Sequence, residues 1–283
     1  MKLFRTFFTI TAAIAMLASC SPAPEQPSGA LYIIGGGSRP ESMMKEMVEM
    51  AGLEDGNKYG IVLPMSSGNT ESAFQSMYRE LTGLGAVNIY NFNVEEGEVV
   101  PESRLDSIRN ADFIYMTGGV QSRFMNVVRG TPVVEAIQDA YYNGAVVAGT
   151  SAGAAVMSKN MLTGRQLRDD APDGYRTIQS DNIELVDGLG LLPTVIIDQH
   201  FLWRSRLNRL VSASIQNPDQ LGVGIDESTA IVVQGNTARV AGESQVVVIH
   251  NREGEYRSVD GLLGAQGMKL SVYLPGEFFN IVP

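Results

Sequence analysis

Ser151 stands in Gly149-Thr150-Ser151-Ala152-Gly153-Ala154-Ala155, directly after the apolar run Ala145-Val146-Val147-Ala148. A serine at a sharp strand-to-helix turn is projected away from the sheet. The crowding of that turn calls for near-absent side chains two residues to either side, which Gly149 and Gly153 provide. Such a serine can attack a carbonyl if a base takes its proton and backbone donors hold the oxyanion. The chain has two histidines to serve as base. His200 follows Val195-Ile196-Ile197 within Asp198-Gln199-His200-Phe201, where a polar triplet closes an apolar strand. In open α/β sheets that is the end facing the ligand crevice, although a capping histidine would give the same pattern. His250 ends the run Gln245 to Ile249 before the turn Asn251-Arg252-Glu253-Gly254, and reads as a solvated strand-end histidine.

A carboxylate to orient the base has three candidates: Asp226 and Glu227, which close the apolar run Leu221 to Ile225, and Asp198. Sequence does not choose among them. For the oxyanion, Ala152 opens the helix after the serine, and Gly118 and Gly119 follow the strand-like Phe113 to Met116. Gly35 to Gly37, after Leu31 to Ile34, could do the same but read as a plain tight turn. Beyond His200 a predicted helix carries Arg204, Arg206 and Arg209 with Leu207, Leu210 and Val211 as its apolar stripe. At about 100° per residue Arg206 and Arg209 fall about 60° apart and Arg204 lies on another side. A local cluster of guanidinium forks in an acidic chain suits an anionic substrate, with a solvated basic face as the alternative.

The elements that must position these groups alternate. Strand-like runs near Leu31, Tyr59 to Leu63, Val87 to Tyr90, Phe113 and Ala145 are interleaved with helical stretches Glu41 to Met50, Glu71 to Leu84, Glu102 to Arg109 and Val133 to Tyr142. That order predicts an α/β fold, a largely parallel sheet flanked by helices, flavodoxin-like or class I glutamine amidotransferase-like. Met43, Met44, Met47 and Met50 recur at helical spacing as core filling. After Leu221 short strands take over: Ala230 to Val233, Ala238 to Val240, Gln245 to Ile249 and Leu270 to Tyr273, read as a β-rich antiparallel C-terminal extension of the same domain.

These residues together resemble the cyanophycinase and dipeptidase E family of serine peptidases. The matching stretches are Thr117-Gly118-Gly119 with Gln121, the Gly149 to Ala154 elbow, Gly188 to Leu192, Val195 to Phe201, the arginine-rich Arg204 to Leu210, and Gly222 to Glu227. The resemblance implies hydrolysis of cyanophycin, a polyaspartate bearing arginine on each side-chain carboxyl, to β-aspartyl-arginine dipeptides. It implies Ser151 as nucleophile, His200 as base and Glu227 as third member. It also implies Gln121, Asp198, Gln199, Arg204, Arg206 and Arg209 as pocket residues. Asp169 and Asp170 could read the substrate guanidinium, although the polar stretch 165–173 reads first as a mobile surface loop. The chain departs from the family pattern at Val120, where an acid precedes the glutamine, and at Ser205 and Asn208, where glycines separate the arginines. Those departures leave the elbow and base intact and leave other aspartyl peptides or isopeptides open as substrates.

At the amino terminus Lys2 and Arg5 precede an apolar stretch ending in Leu17-Ala18-Ser19-Cys20, the pattern of a lipoprotein signal too short to span a bilayer comfortably. Residues 1–20 are expected to be signal, with Cys20 lipidated, residues 21–29 a flexible tether, and 30–283 one hydrolase domain in the bacterial cell envelope. With one cysteine no internal disulfide can form, and a net charge of −10 argues against nucleic acid as a partner. Two distant histidines make a metal site poor, and the chemistry needs no cofactor. The expected partners are a peptide or cyanophycin-like polymer and, through the anchor alone, a membrane; a homodimer is left open. Two competing readings are an esterase using Ser151, an intervening acid and His250, and a surface lipoprotein that binds peptides without cleaving them.

Overall fold

Leu31 and Ile33 point to one side of a strand while Tyr32 and Ile34 point to the other, and all four are fully buried. A strand apolar on both faces needs cover on both, which is the condition for a sheet between helix layers. In the computed structural model, which describes residues 26–168 and 174–283, the first half of the chain supplies that arrangement. It runs β1 (Ala30–Ile34), α1 (Glu41–Ala51), β2 (Gly60–Leu63), α2 (Thr70–Gly83), β3 (Ile89–Asn91), α3 (Glu102–Arg109), β4 (Phe113–Met116), α4 (Gln121–Val128), α5 (Pro132–Tyr142), β5 (Val146–Thr150) and α6 (Ala152–Ala155). The second half comprises β6 (Asn160–Gln166), β7 (Ile183–Asp187), β8 (Val195–Gln199), α7 (Leu207–Gln216), β9 (Leu221–Ile225), β10 (Thr229–Gln234), β11 (Thr237–Gly242), β12 (Val246–His250), β13 (Tyr256–Val259), β14 (Leu262–Ala265), β15 (Lys269–Tyr273) and β16 (Phe278–Asn280).

The main sheet has the order β16-β11-β10-β1-β5-β4-β2-β3. Strands β1, β5, β4, β2 and β3 are parallel, and β10, β11 and β16 continue the sheet antiparallel beyond β1. On one face Tyr32, Val62, Tyr115 and Ala148 pack with Met43, Met44 and Met47 of α1 and Phe74, Met77 and Leu81 of α2. On the other, Leu31, Ile33, Ile114 and Val147 pack with Leu105, Ile108, Phe124, Val133 and Ile137 of α3, α4 and α5. Each such side chain taken fully from water contributes about 1.5 to 3 kcal/mol. Local signals bound the helices: Asn69 Oδ1 accepts from the Ser72 amide at 3.0 Å to start α2, Thr131 and Pro132 open α5, and Gly52 at φ 64 ends α1.

The C-terminal strands are not one extension of the main sheet. β10, β11 and β16 join it, whereas β12 and β15 belong to a second sheet ordered β15-β12-β9-β8. In that sheet β8 and β9 run parallel, Asp198 opposite Gly224 and Gln199 opposite Ile225. Glycines at 222 and 224 let this sheet take close cover: a β-carbon at Gly224 would lie 2.4 Å from the Phe201 ring, and one at Gly222 would lie 2.3 Å from Ser214 Oγ. The two sheets come together at their carboxyl ends, where the Gly35 carbonyl after β1 accepts from the His200 amide after β8 at 2.8 Å.

Candidate active site

The turn between β5 and α6 puts Ser151 at φ 53 and ψ −105, a conformation a side-chain-bearing residue adopts only under constraint. The constraint is visible on both sides. The Ser151 amide donates to the Ile34 carbonyl at 2.9 Å. A β-carbon at Gly149 would lie 2.4 Å from the Gly153 carbonyl oxygen, and one at Gly153 would lie 2.2 Å from that of Met116. Both glycines are therefore required by backbone approach, as the spacing predicted.

The Ser151 hydroxyl is 2.9 Å from Nε2 of His200, and Nδ1 of the same ring is 2.5 Å from Oε1 of Glu227. His200 is itself held at φ 50, just past the end of β8. Burial lowers its pKa from the ordinary imidazole value, and nearby Arg204 adds to that; the hydrogen bond it donates to Glu227 pulls the other way without reversing it. The ring is therefore neutral at neutral pH, with Nδ1 donating to the carboxylate and Nε2 free to accept the serine proton.

Of the three carboxylates open on sequence, Glu227 is the one bonded to His200. Its neighbour Asp226 accepts from the amides of Leu202 and Trp203 at 3.1 and 2.9 Å through Oδ1 and from the Ser244 hydroxyl at 2.9 Å through Oδ2, tying down the turn that follows His200. Asp198 is buried beneath the site, facing Arg209: Arg209 Nε donates to its Oδ2 at 2.7 Å and Nη2 donates to its Oδ1. Asp198 and Arg209 thus meet each other as a buried bidentate pair.

The arginine run also differs from the expected helix. Arg204 lies in a turn, Arg206 is the cap residue, and α7 begins at Leu207. Arg206 Nη1 donates at 2.6 Å to both the carbonyl and Oε1 of Gln199, and stands 3.6 Å from Asp198 Oδ1. Burial, with Arg209 alongside, pulls its guanidinium down to about 10, still charged at neutral pH. Arg204 is exposed beside His200. Gln121 is buried, its Nε2 donating to the carbonyls of Leu162 and Thr163 at 3.0 and 2.8 Å, which ties β6 to the loop carrying Gly118 and Gly119. Gly118 faces the nucleophile, where a β-carbon would lie 3.6 Å from Ser151 Cβ. Gly119, at φ 140, is pressed against the Ser66 carbonyl, which accepts from the Val120 amide at 2.9 Å and from Arg123 Nη1 at 2.8 Å.

Gly35 to Gly37 are more than a tight turn. A β-carbon at Gly36 would lie 2.3 Å from Cε1 of His200, and one at Gly37 would lie 2.7 Å from Cβ and Oε2 of Glu227. The segment is a strap laid against the imidazole and its carboxylate, and the glycine triplet after β1 was its sequence signal. His250 bonds the Pro218 carbonyl at 3.0 Å from β12, so the serine, acid and His250 arrangement of an esterase is not formed. Cys20, residues 1–20 and most of the tether, and Asp169 and Asp170, lie outside the described residues.

The model of peptidase family S51 matches residues 31–241. The chain belongs to peptidase family S51. A cyanophycinase from Nostoc sp. is 31% identical over 234 residues, covering 81% of this chain and 76% of that protein. One from Synechococcus elongatus is 30% identical over 230 residues, covering 78% and 69%. Among solved structures, a peptidase from an acI-B1 Actinobacterium superposes with a TM-score of 0.66 at 19% identity, covering 90% of this chain and 98% of that one. A putative peptidase E protein from Listeria monocytogenes EGD-e gives a TM-score of 0.52, also at 19% identity, over 76% of this chain and 99% of that one. This S51 member is a serine-type peptidase on a mixed α/β fold, and the reading of a protein that binds peptides without cleaving them gives way to it.

Proposed function

We propose that this S51 peptidase cleaves a cyanophycin-like polymer, or a related aspartyl peptide, to β-aspartyl-arginine-type dipeptides through an acyl-enzyme on Ser151. The observation that carries the reading is the hydrogen-bonded line from Ser151 Oγ through the His200 ring to Glu227, at 2.9 and 2.5 Å. His200 Nε2 takes the hydroxyl proton as Oγ bonds to the scissile carbonyl carbon. Glu227 steadies the resulting imidazolium. The Ala152 amide, at the first position of α6, and an amide of Gly118 or Gly119 hold the oxyanion, each donor contributing about 10² to 10³ in rate. His200 then protonates the departing amine as the C–N bond breaks, and water repeats the sequence on the ester to free Ser151. Arg204 and Arg206, flanking the imidazole, suit the carboxylates of an aspartyl backbone. Similarity to cyanophycinases supports the choice of polymer.

The same reading places the enzyme outside the cytoplasm on a lipid at Cys20, working on external polymer; the support for this is the residue pattern around Leu17-Ala18-Ser19-Cys20. The test is incubation of the purified domain with cyanophycin, with dipeptide release followed by mass spectrometry and Ser151→Ala alongside. Release of β-aspartyl-arginine by the wild type, reduced at least about 10³-fold in the variant, is expected. Equal release by both would overturn the mechanism, and release of nothing by a wild type that still labels at Ser151 would overturn the substrate.

A further inference from the structure

The hairpin β6–β7 forms a wall tied by Gln121 to the loop that carries Gly118 and Gly119. Gln121 holds the carbonyls of Leu162 and Thr163, and at the next residue, Gly164, a β-carbon would lie 3.3 Å from Arg209 Nη1. On this wall Glu184 of β7 has a defined pose: Oε2 accepts from the Thr163 hydroxyl at 2.7 Å and Oε1 accepts from Arg165 Nη1 at 3.1 Å. The other carboxylates around the site are closed by buried or catalytic partners, Asp198 by Arg209, Asp226 by two amides and Ser244, and Glu227 by His200. Glu184 differs, because its guanidinium partner is a surface side chain: the Arg165 side chain is 73% exposed while that of Glu184 is 22% exposed.

We infer that Glu184 is the specificity residue that receives a guanidinium on the substrate side chain, and that Arg165, lying on it from the same hairpin, is an exchangeable stand-in for that group. An ion pair with one partner this exposed contributes little and is readily replaced by a better-oriented guanidinium. With Oε2 anchored on the Thr163 hydroxyl, Oε1 is the oxygen held by Arg165, and an incoming guanidinium fork would dock there in its place. Tyr175 backs the wall. Its ring has the Arg209 guanidinium carbon 5.7 Å from its centroid, and its backbone is fastened by Asn208 Nδ2 donating to its carbonyl at 3.0 Å and by its own amide donating to Gln166 Oε1 at 3.2 Å. Burial pushes the Tyr175 hydroxyl up to about 12, so it stays a neutral group beside these charges. The site thus divides by charge: Arg204 and Arg206 for substrate carboxylates on the His200 side, Glu184 for a cation on the hairpin side.

This inference rests on the arginine-bearing substrate proposed above, and its test is arranged to be independent of turnover. Affinity for a short oligo-aspartate carrying arginine on each side chain, and for its uncharged citrulline counterpart, is measured by calorimetry in the Ser151→Ala background. Adding Glu184→Gln, which keeps an acceptor for Thr163, is expected to weaken binding of the arginine oligomer about tenfold and to leave the citrulline oligomer unchanged. Adding Arg165→Ala is expected to tighten binding of the arginine oligomer about threefold by removing the competitor. A pair that merely stiffens the hairpin would move both substitutions in the same direction on both oligomers, and that result overturns the assignment, as does failure of Ser151→Ala to bind the arginine oligomer at all. If the wild type cleaves neither oligomer while the Glu184 dependence of binding persists, the proposed reaction falls and the specificity site stands.

Discussion

The catalytic corner and the β6–β7 wall, which Gln121 ties to the Gly118 to Gly119 loop, are built differently. The corner is made of backbone: Ser151 at φ 53 and His200 at φ 50 are pinned through their amides to the carbonyls of Ile34 and Gly35, and Gly36 leaves no room for a β-carbon against the imidazole. The wall is made of side chains, with β6 and β7 half-buried along much of their length and a register shift between Leu162 and Gln166. Proton transfer tolerates displacements of a few tenths of an ångström, and recognition tolerates more. The construction of each region matches its tolerance.

The largest effect should come from disturbing the corner without touching its functional groups. Gly36→Ala places a methyl where the His200 ring lies and forces an alanine to φ 109. It is expected to lower kcat by about 10²-fold or more through displacement of the base, at a stability cost of about 1 to 3 kcal/mol. A folded variant, by thermal melting, with kcat unchanged would mean that the strap is not needed to set the imidazole. A smaller and more diagnostic effect is expected on pH dependence. Because burial lowers the pKa of His200, the proton-free ring required for attack persists below the ordinary value, so the acid limb of kcat/KM should lie below pH 6.5. The Glu227 bond acts upward on that pKa, so Glu227→Gln should move the limb to still lower pH while also reducing kcat. An acid limb above pH 6.5, or one that rises in Glu227→Gln, would separate these groups from catalysis. The wall should give the smallest effect, the tenfold change in affinity stated for Glu184→Gln, confined to cationic substrates.

The same contrast explains what the sequence made legible. The elbow could be read because Gly149, Ser151 and Gly153 satisfy a local steric demand within five residues. The parallel sheet could be read because β1, β4 and β5 are apolar on both faces, and Met43, Met44 and Met47 announced the buried side of α1. Which carboxylate meets His200 was not legible. Asp226 and Glu227 are adjacent just past β9, and one meets the amides of Leu202 and Trp203 and the other the ring only once β8 and β9 are paired. The strap at Gly35 to Gly37 looked like a turn because the object it must avoid, the ring of His200, is more than 160 residues away in the chain. The separate sheet that carries β8 likewise depends on long-range partners. A short-range pattern of polar strand end and basic run is the same whether those side chains face a substrate or each other.

The most direct measurement of the central claim is labelling with a fluorophosphonate-type probe, followed by peptide mapping, in the wild type, His200→Ala and His250→Ala. The account predicts a single adduct on Ser151, lost or slowed at least about 10³-fold in His200→Ala and unchanged in His250→Ala. An adduct on another residue, or one on Ser151 that forms at the wild-type rate without His200, would contradict it.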